Sequence, residues 1–175
     1  MIAVKIYMAQ TKTNIGILVN MNNNLVHMNN KMNTLGWFEG RTHLYPIQIY
    51  YEDTDFSGIV YHANYLRYFE RGRSSFLNLL GIKHADLWTN LEIAFTIRKF
   101  EIEYKSPARI DEQILIETTY DRITAARLLI SQRCFKENTM ITSAKCEAAC
   151  ISKLGKPIRV PKEIREKLKK YTIQD

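Results

Sequence analysis

Residues 50–80, YYEDTDFSGIVYHANYLRYFERGRSSFLNLL, constrain the fold more than any other stretch of this chain. From Tyr65 the residues Tyr65, Phe69, Gly72, Phe76, Leu79 and Leu80 recur in steps of 4, 3, 4, 3 and 1. That spacing is the 3.6-residue period of a helix with one buried face. Most of Arg67, Glu70, Arg71, Arg73, Ser74 and Asn78 fall away from the stripe. Ahead of the helix come three acids (Glu52, Asp53, Asp55), then Gly58, the apolar clip Ile59-Val60-Tyr61, His62 and Asn64. Carboxylates leading into a helix start make a candidate reaction site. The helix offers N–H groups without intrahelical partners and partial positive charge, and an acid offers a base or a nucleophile.

The remainder supplies strands for that helix to pack on. His43–Tyr51 alternates as a strand, with Pro46 favouring an edge or a strand beginning. Gly81 is placed to stop the helix expected over 62–80, and a less regular linker with His84 and Trp88 runs to Leu91. In Ala94–Tyr104, Phe100, Ile102 and Tyr104 alternate with Glu101, Glu103 and Lys105, the pattern of a half-buried antiparallel strand. Gln113–Tyr120, Arg127–Phe135 and Ile141–Leu154 read as three more strands, and Pro161–Tyr171 as a short amphipathic helix. Strand, long helix, then four strands predicts an α+β protein: about five antiparallel strands and one central helix. The small row Ala144, Cys146, Ala148, Cys150, with Gly72 on the helix, would permit close approach.

The 175 residues suit a single domain with a core of its own. No apolar run nears the roughly 20 residues of a membrane helix. Three cysteines without CxxC spacing argue against a disulfide framework, so the chain reads as one from a reducing, cytoplasmic compartment. No spacing of His, Cys or acids suggests a metal site. Of the net charge of +7, the segment 153–170 carries +6, eight Lys or Arg against Glu163 and Glu166. A solvated helix face explains this. An anionic ligand, a membrane surface or an acidic carrier protein is the functional alternative, and no nucleic-acid motif accompanies the charge. Residues 1–42 hold five of the six methionines and, from Asn14 to Asn33, eight asparagines. They are expected to form a poorly ordered extension without function, leaving 43–175 as the domain.

Taken together, Tyr50-Tyr51-Glu52-Asp53-Thr54-Asp55, Gly58-Ile59-Val60-Tyr61-His62 and the helix opening Asn64-Tyr65 resemble the active-site segment of one enzyme family. Arg98-Lys99, Glu103-Tyr104 and Pro107-Ala108-Arg109 extend the resemblance, which runs from about Leu44 to Tyr171. The family is the hotdog-fold acyl-CoA thioesterases of the 4-hydroxybenzoyl-CoA thioesterase type. The short bacterial enzymes associated with the Tol-Pal envelope system are the most similar. The resemblance implies a five-stranded antiparallel sheet wrapped around a long helix. It also implies homodimers with a continuous sheet and interfacial active sites, often paired into homotetramers. By position, Asp55 is the implied catalytic carboxylate, and His62 the helix-entry residue whose backbone N–H polarises the thioester carbonyl. Gly58, Val60, Tyr61 and Asn64 are the implied substrate contacts. Phe56 departs from the small residue or proline usual there, which bears on the shape of the acyl pocket.

A thioester already has an electrophilic carbonyl and a good leaving group, so its hydrolysis needs a placed carboxylate and a holder for the oxyanion. Asp55 can attack directly or act as general base for water, and the residues do not separate the two. N–H groups near Tyr61–Asn64 can hold the oxygen. No metal or redox cofactor is required. Asn64 reads as the helix N-cap, Glu52 and Asp53 as scaffold, and Cys134, Cys146 and Cys150 as small buried residues. Two other functions remain open. One is a hotdog hydratase or dehydratase, although the Asp-first order disfavours it. The other is a non-catalytic module that binds an acyl carrier protein or an envelope-biogenesis partner through the basic tail.

Overall fold

The structure, a computed structural model, describes residues 34–173. Strands β1 (Trp37–Glu39) and β2 (Thr42–Gln48) lead through a single 3-10 turn to helix α1 (Asn64–Leu79) and the short helix α2 (His84–Asn90). Four long strands follow: β3 (Ile93–Tyr104), β4 (Gln113–Ile123), β5 (Arg127–Lys136) and β6 (Thr139–Ser152). Helix α3 (Lys162–Lys169) ends the described chain. All strands pair antiparallel in one sheet, in the order β1-β2-β4-β5-β6-β3.

The expected helix over one antiparallel sheet is present, with six strands in place of five. The additional strand, Trp37–Glu39, lies in the segment expected to be disordered, and the expectation for 1–33 falls outside the described residues. Three residues are too few to show alternation. What holds β1 is the ring of Phe38, packed against His43, Phe76 and Tyr171 at centroid distances of 5.4, 5.0 and 4.3 Å. Because β1 reaches only to Leu44, β2 has no second partner strand at Pro46 among the described residues, and a missing N–H costs nothing there.

The stripe on α1 is buried at Tyr65, Phe69, Gly72 and Phe76, joined by Tyr68, Ser75 and Leu77. Leu79 and Leu80 are half-buried at the helix end. The helix stops where the sequence indicates. Gly81 has φ +70°, its N–H donates to the Asn78 carbonyl, and that of Ile82 donates back to Leu77. This pair of bonds closes the last turn around a left-handed glycine. The segment read as an irregular linker contains α2, a helix too short for its period to register, anchored by the buried Leu87.

Gly72 is the point of closest approach. A Cβ there would lie 2.9 Å from Thr118 Oγ1, 3.0 Å from Ile116 Cγ2 and 3.3 Å from Gln132 Nε2. The helix therefore presses on β4 and β5, whereas the small row of β6 faces the same layer nearer the β3 side. Buried Gln132 joins the layers. Its Nε2 donates to the Phe69 carbonyl (2.8 Å) and Thr118 Oγ1 (2.9 Å), and its Oε1 accepts from Arg73 Nη1 (2.7 Å). On β3 the register shifts between Ile97 and Lys99. The shift changes the parity of the strand. Phe95 and Ile97 pair with Cys150 and Ala148, then Phe100, Ile102 and Tyr104 pair with Cys146, Ala144 and Thr142, so both halves turn toward the helix layer.

Candidate active site

The acidic segment folds as a turn fixed by its own carboxylates. Asp55 and Gly58 close it, Gly58 N–H donating to the Asp55 carbonyl (3.0 Å) with Gly58 at φ +74°. The Asp55 carboxylate accepts from Ser57 N–H (2.8 Å) and from the Ser57 hydroxyl, the side-chain-to-backbone pattern typical of aspartate in turns. These two donors, the hydroxyl first, hold its carboxyl below the ordinary value of 3.8. Asp55 is thus ionised at neutral pH and, on an exposed loop, open to water.

Asp53 serves as scaffold. Its buried carboxylate accepts Tyr50 N–H (2.9 Å), and its carbonyl accepts both Tyr61 N–H (2.9 Å) and Asn64 Nδ2 (2.8 Å). Asn64 is therefore not the N-cap. Ala63 holds that place in helical conformation, and Asn64, the first helical residue, turns its side chain back onto the acidic turn. Burial first, then the proximity of Asp53, raises the Tyr68 hydroxyl, although the two do not reach hydrogen-bond geometry.

The entry to α1 leaves donors open. Tyr61 N–H goes to Asp53, Asn64 N–H to the Tyr61 carbonyl (2.8 Å) and Val60 N–H to Ala108 (2.9 Å). The N–H groups of His62 and Ala63 have no such partner among the described residues. They sit at the positive end of the helix dipole. Beside them is a cleft of about 290 Å³ lined by Ile59, Val60, His62, Tyr65, Tyr104 and the 105–107 segment. Tyr104 Oη donates to the His62 carbonyl (3.1 Å), and Ala108 N–H donates to Tyr65 Oη (3.1 Å), tying the helix entry to the end of β3.

Of the residues picked from sequence, Val60 and His62 line this cleft, while Gly58, Tyr61 and Asn64 shape the turn that frames it. Asp55 is coupled to the clip through its N–H, which donates to the Ile59 carbonyl (3.0 Å), but its carboxylate is not in the lining. Phe56 projects into solvent. Tyr104 and the 105–107 segment were visible in sequence only as part of the family pattern. The one local signal was that Tyr104 ends the alternating row of β3. Cys134, Cys146 and Cys150 are buried and unpaired, and burial raises all three thiols, Cys134 to about 12. Among the described residues no group of His, Cys, Asp or Glu is gathered as metal ligands would be. No described helix is long and apolar enough to cross a membrane.

A helix-wrapping antiparallel sheet whose acidic turn opens the helix defines the hotdog class of thioesterases. Residues 50–168 match the family model of the thioesterase-like superfamily, and the chain belongs to that family. Among its relatives, the acyl-CoA thioesterase YbgC of Haemophilus influenzae is 36% identical over 123 residues, which cover 69% of this chain and 90% of that protein. The acyl-CoA thioester hydrolase YbgC of Escherichia coli O6:H1 is likewise 36% identical over 122 residues, covering 69% and 90%. A probable thioesterase from Bartonella henselae superposes with a TM-score of 0.67 at 41% identity, over 69% of this chain and 99% of that one.

Proposed function

We propose that this chain hydrolyses acyl-CoA to the free acid and coenzyme A, with Asp55 supplying the carboxylate and the start of α1 the oxyanion donors. The observation that carries this reading is the pair of uncommitted N–H groups, His62 and Ala63, at a helix start where the N–H groups of Val60, Tyr61 and Asn64 are used. A thioester carbonyl oxygen placed there gains two hydrogen bonds as it becomes negative, and one such donor is worth roughly 3 kcal/mol of barrier. The Asp55 carboxylate, ionised at neutral pH, then attacks the carbonyl carbon or takes a proton from the attacking water. The products are a carboxylate and the coenzyme A thiol, and the proton budget closes with solvent. The His62 ring, tilted against the Tyr61 ring at a centroid distance of 4.4 Å, shapes the entrance, and its backbone does the polarising.

The assembly that suits this site is a dimer joined at the outer edge of β3, since a twelve-residue edge without a partner strand among the described residues invites pairing. A reducing cytoplasm suits the three buried free thiols. The charge of +6 over residues 153–170 favours a second acyl donor, an acidic acyl carrier protein. The deciding measurement is thiol release from a panel of acyl-CoAs by wild type and Asp55→Asn. Turnover should fall at least ~100-fold in the variant, in line with the contribution of a positioned base. Equal turnover would end the role of Asp55, and hydration of enoyl-CoA without thiol release would favour a hydratase.

A further inference from the structure

The end of β3 meets the start of α1 at one peptide unit in particular. The carbonyl of His62 and the N–H of Ala63 belong to the same planar peptide bond and point in opposite directions. Tyr104 Oη donates to that carbonyl at 3.1 Å, while the Ala63 N–H has no backbone partner among the described residues. A hydrogen bond accepted by an amide oxygen draws electron density from the nitrogen through amide resonance, so the N–H becomes a stronger donor. The same bond restrains the peptide plane, and with it the direction in which the N–H points.

The residue that carries this hydroxyl is itself firmly held. Tyr104 ends the β3–β6 pairing opposite Thr142, and just beyond it Lys105 N–H donates to the Ile141 carbonyl (2.8 Å). Its ring lies edge-on to Tyr65 at 5.7 Å and to His62 at 6.4 Å. Ala108 is tied to the helix entry twice, its N–H donating to Tyr65 Oη (3.1 Å) and its carbonyl accepting from Val60 N–H (2.9 Å). A strand fixed in this way sets its terminal hydroxyl more closely than a loop would. Tyr104 also lines the cleft. A phenol has one proton to donate, and here the His62 carbonyl takes it, so the hydroxyl acts on a substrate through the peptide.

We propose that Tyr104 is a positioning residue for the reaction: its hydroxyl orients and polarises the His62–Ala63 peptide, and the Ala63 N–H then holds the thioester oxygen as it turns negative. This assignment rests on the thioesterase reading above and adds to it the residue that tunes the oxyanion donor. The ground-state carbonyl oxygen carries little charge and gains little from a stronger donor. The oxyanion gains more, so the effect falls on kcat and spares substrate binding. At 3.1 Å the Tyr104 bond is longer than the ~2.7 Å usual between oxygens, which leaves it room to shorten as charge develops.

The test is Tyr104→Phe, which removes one oxygen and keeps the ring against Tyr65 and His62. With the acyl-CoA that wild type cleaves fastest, kcat should fall roughly three- to tenfold, the worth of a weakened and loosened oxyanion donor. KM and the thermal midpoint should stay at wild-type values. A second measurement reads the donor directly. In Asp55→Asn, which turns over slowly, difference infrared spectroscopy follows the isotopically labelled carbonyl of the same acyl-CoA. Its stretch should lie lower when bound than when free, and adding Tyr104→Phe should return part of that shift. An unchanged kcat, or a bound carbonyl stretch that the second substitution leaves in place, would overturn the assignment. A loss confined to KM would overturn it too, since Tyr104 would then be only a wall of the cleft. Wild type that releases no thiol at all would remove the thioesterase reading itself, an outcome distinct from a Tyr104→Phe protein as active as wild type.

Discussion

The two ends of the contact between α1 and its surroundings treat polar groups in opposite ways. At the middle of the helix, Gln132, Thr118 and Arg73 form a closed set, with Gln132 bonded at both its nitrogen and its oxygen. At the helix start, Asp53, Tyr61 and Asn64 are equally committed, but His62 N–H, Ala63 N–H and the Asp55 carboxylate remain available. Closed polar sets give stability and register. Open donors and an ionised acid would give reactivity at some cost in solvation, so the proposed function puts chemistry at the start of the helix and architecture at its middle.

Substitutions can break this contrast or sharpen it. The largest effect belongs to Asp55→Asn, whose ~100-fold loss of thiol release corresponds to about 2.7 kcal/mol of barrier. Because the side chain is exposed and the amide still accepts from Ser57, its thermal midpoint should stay within a degree or two of wild type by calorimetry. Gln132→Ala should behave inversely. It strands buried partners and opens a void, so urea unfolding should report a loss of about 2–4 kcal/mol. Turnover per folded molecule should stay near wild type. A Gln132→Ala protein that is stable but inactive would dissolve the division between the two regions.

Gly72→Ala is a smaller version of the second kind. The added methyl meets Thr118, Ile116 and Gln132 at 2.9–3.3 Å. Overpacking of about 1–3 kcal/mol is offset by up to ~1 kcal/mol of helix propensity, so a net loss near 1 kcal/mol is expected in the same urea titration. Smallest is Ser57→Ala at the helix start. The Ser57 hydroxyl is the larger of the two donors that lower the Asp55 carboxyl, so wild type keeps its base ionised until the pH falls through that depressed value. Without the hydroxyl the acid limb of kcat/KM should move up toward 3.8, with little change at neutral pH. An acid limb that does not move would separate Asp55 from the titration.

Much of the molecule is legible in its sequence. The period of Tyr65, Phe69, Gly72 and Phe76 announced the helix, and Gly81 its end, because both are local consequences of backbone geometry. The alternation from Phe100 to Tyr104 announced β3 for the same reason. The acids also differ in their surroundings: Asp53 is buried and bonded at both carboxylate and carbonyl, and the Asp55 carboxylate is held on the open turn by Ser57. What local patterns did not reveal depended on distant partners. Trp37–Glu39 is a strand only because Phe38 finds His43, Phe76 and Tyr171. Asn64 reads as a cap until the Asp53 carbonyl claims its side chain. Ser74 looked like a solvated helix residue, and only the fold brings His84 to within 3.1 Å of it.

The register shift in β3 also sets how this gene segment tolerates length change. Ahead of it the inward residues are odd-numbered, Phe95 and Ile97, and after it they are even-numbered, Phe100, Ile102 and Tyr104. Arg98 therefore works as a one-residue spacer between two reading phases of the strand. Losing its codon in frame removes the extra residue and leaves a strand of unbroken alternation, so Phe100, Ile102 and Tyr104 keep their face. A second deletion in the strand has no bulge left to absorb it: the rings of Phe100 and Tyr104 would turn to solvent, and Glu101 and Glu103 would turn beneath the helix. Deleting Arg98 is a local change, whereas a second deletion is a global one.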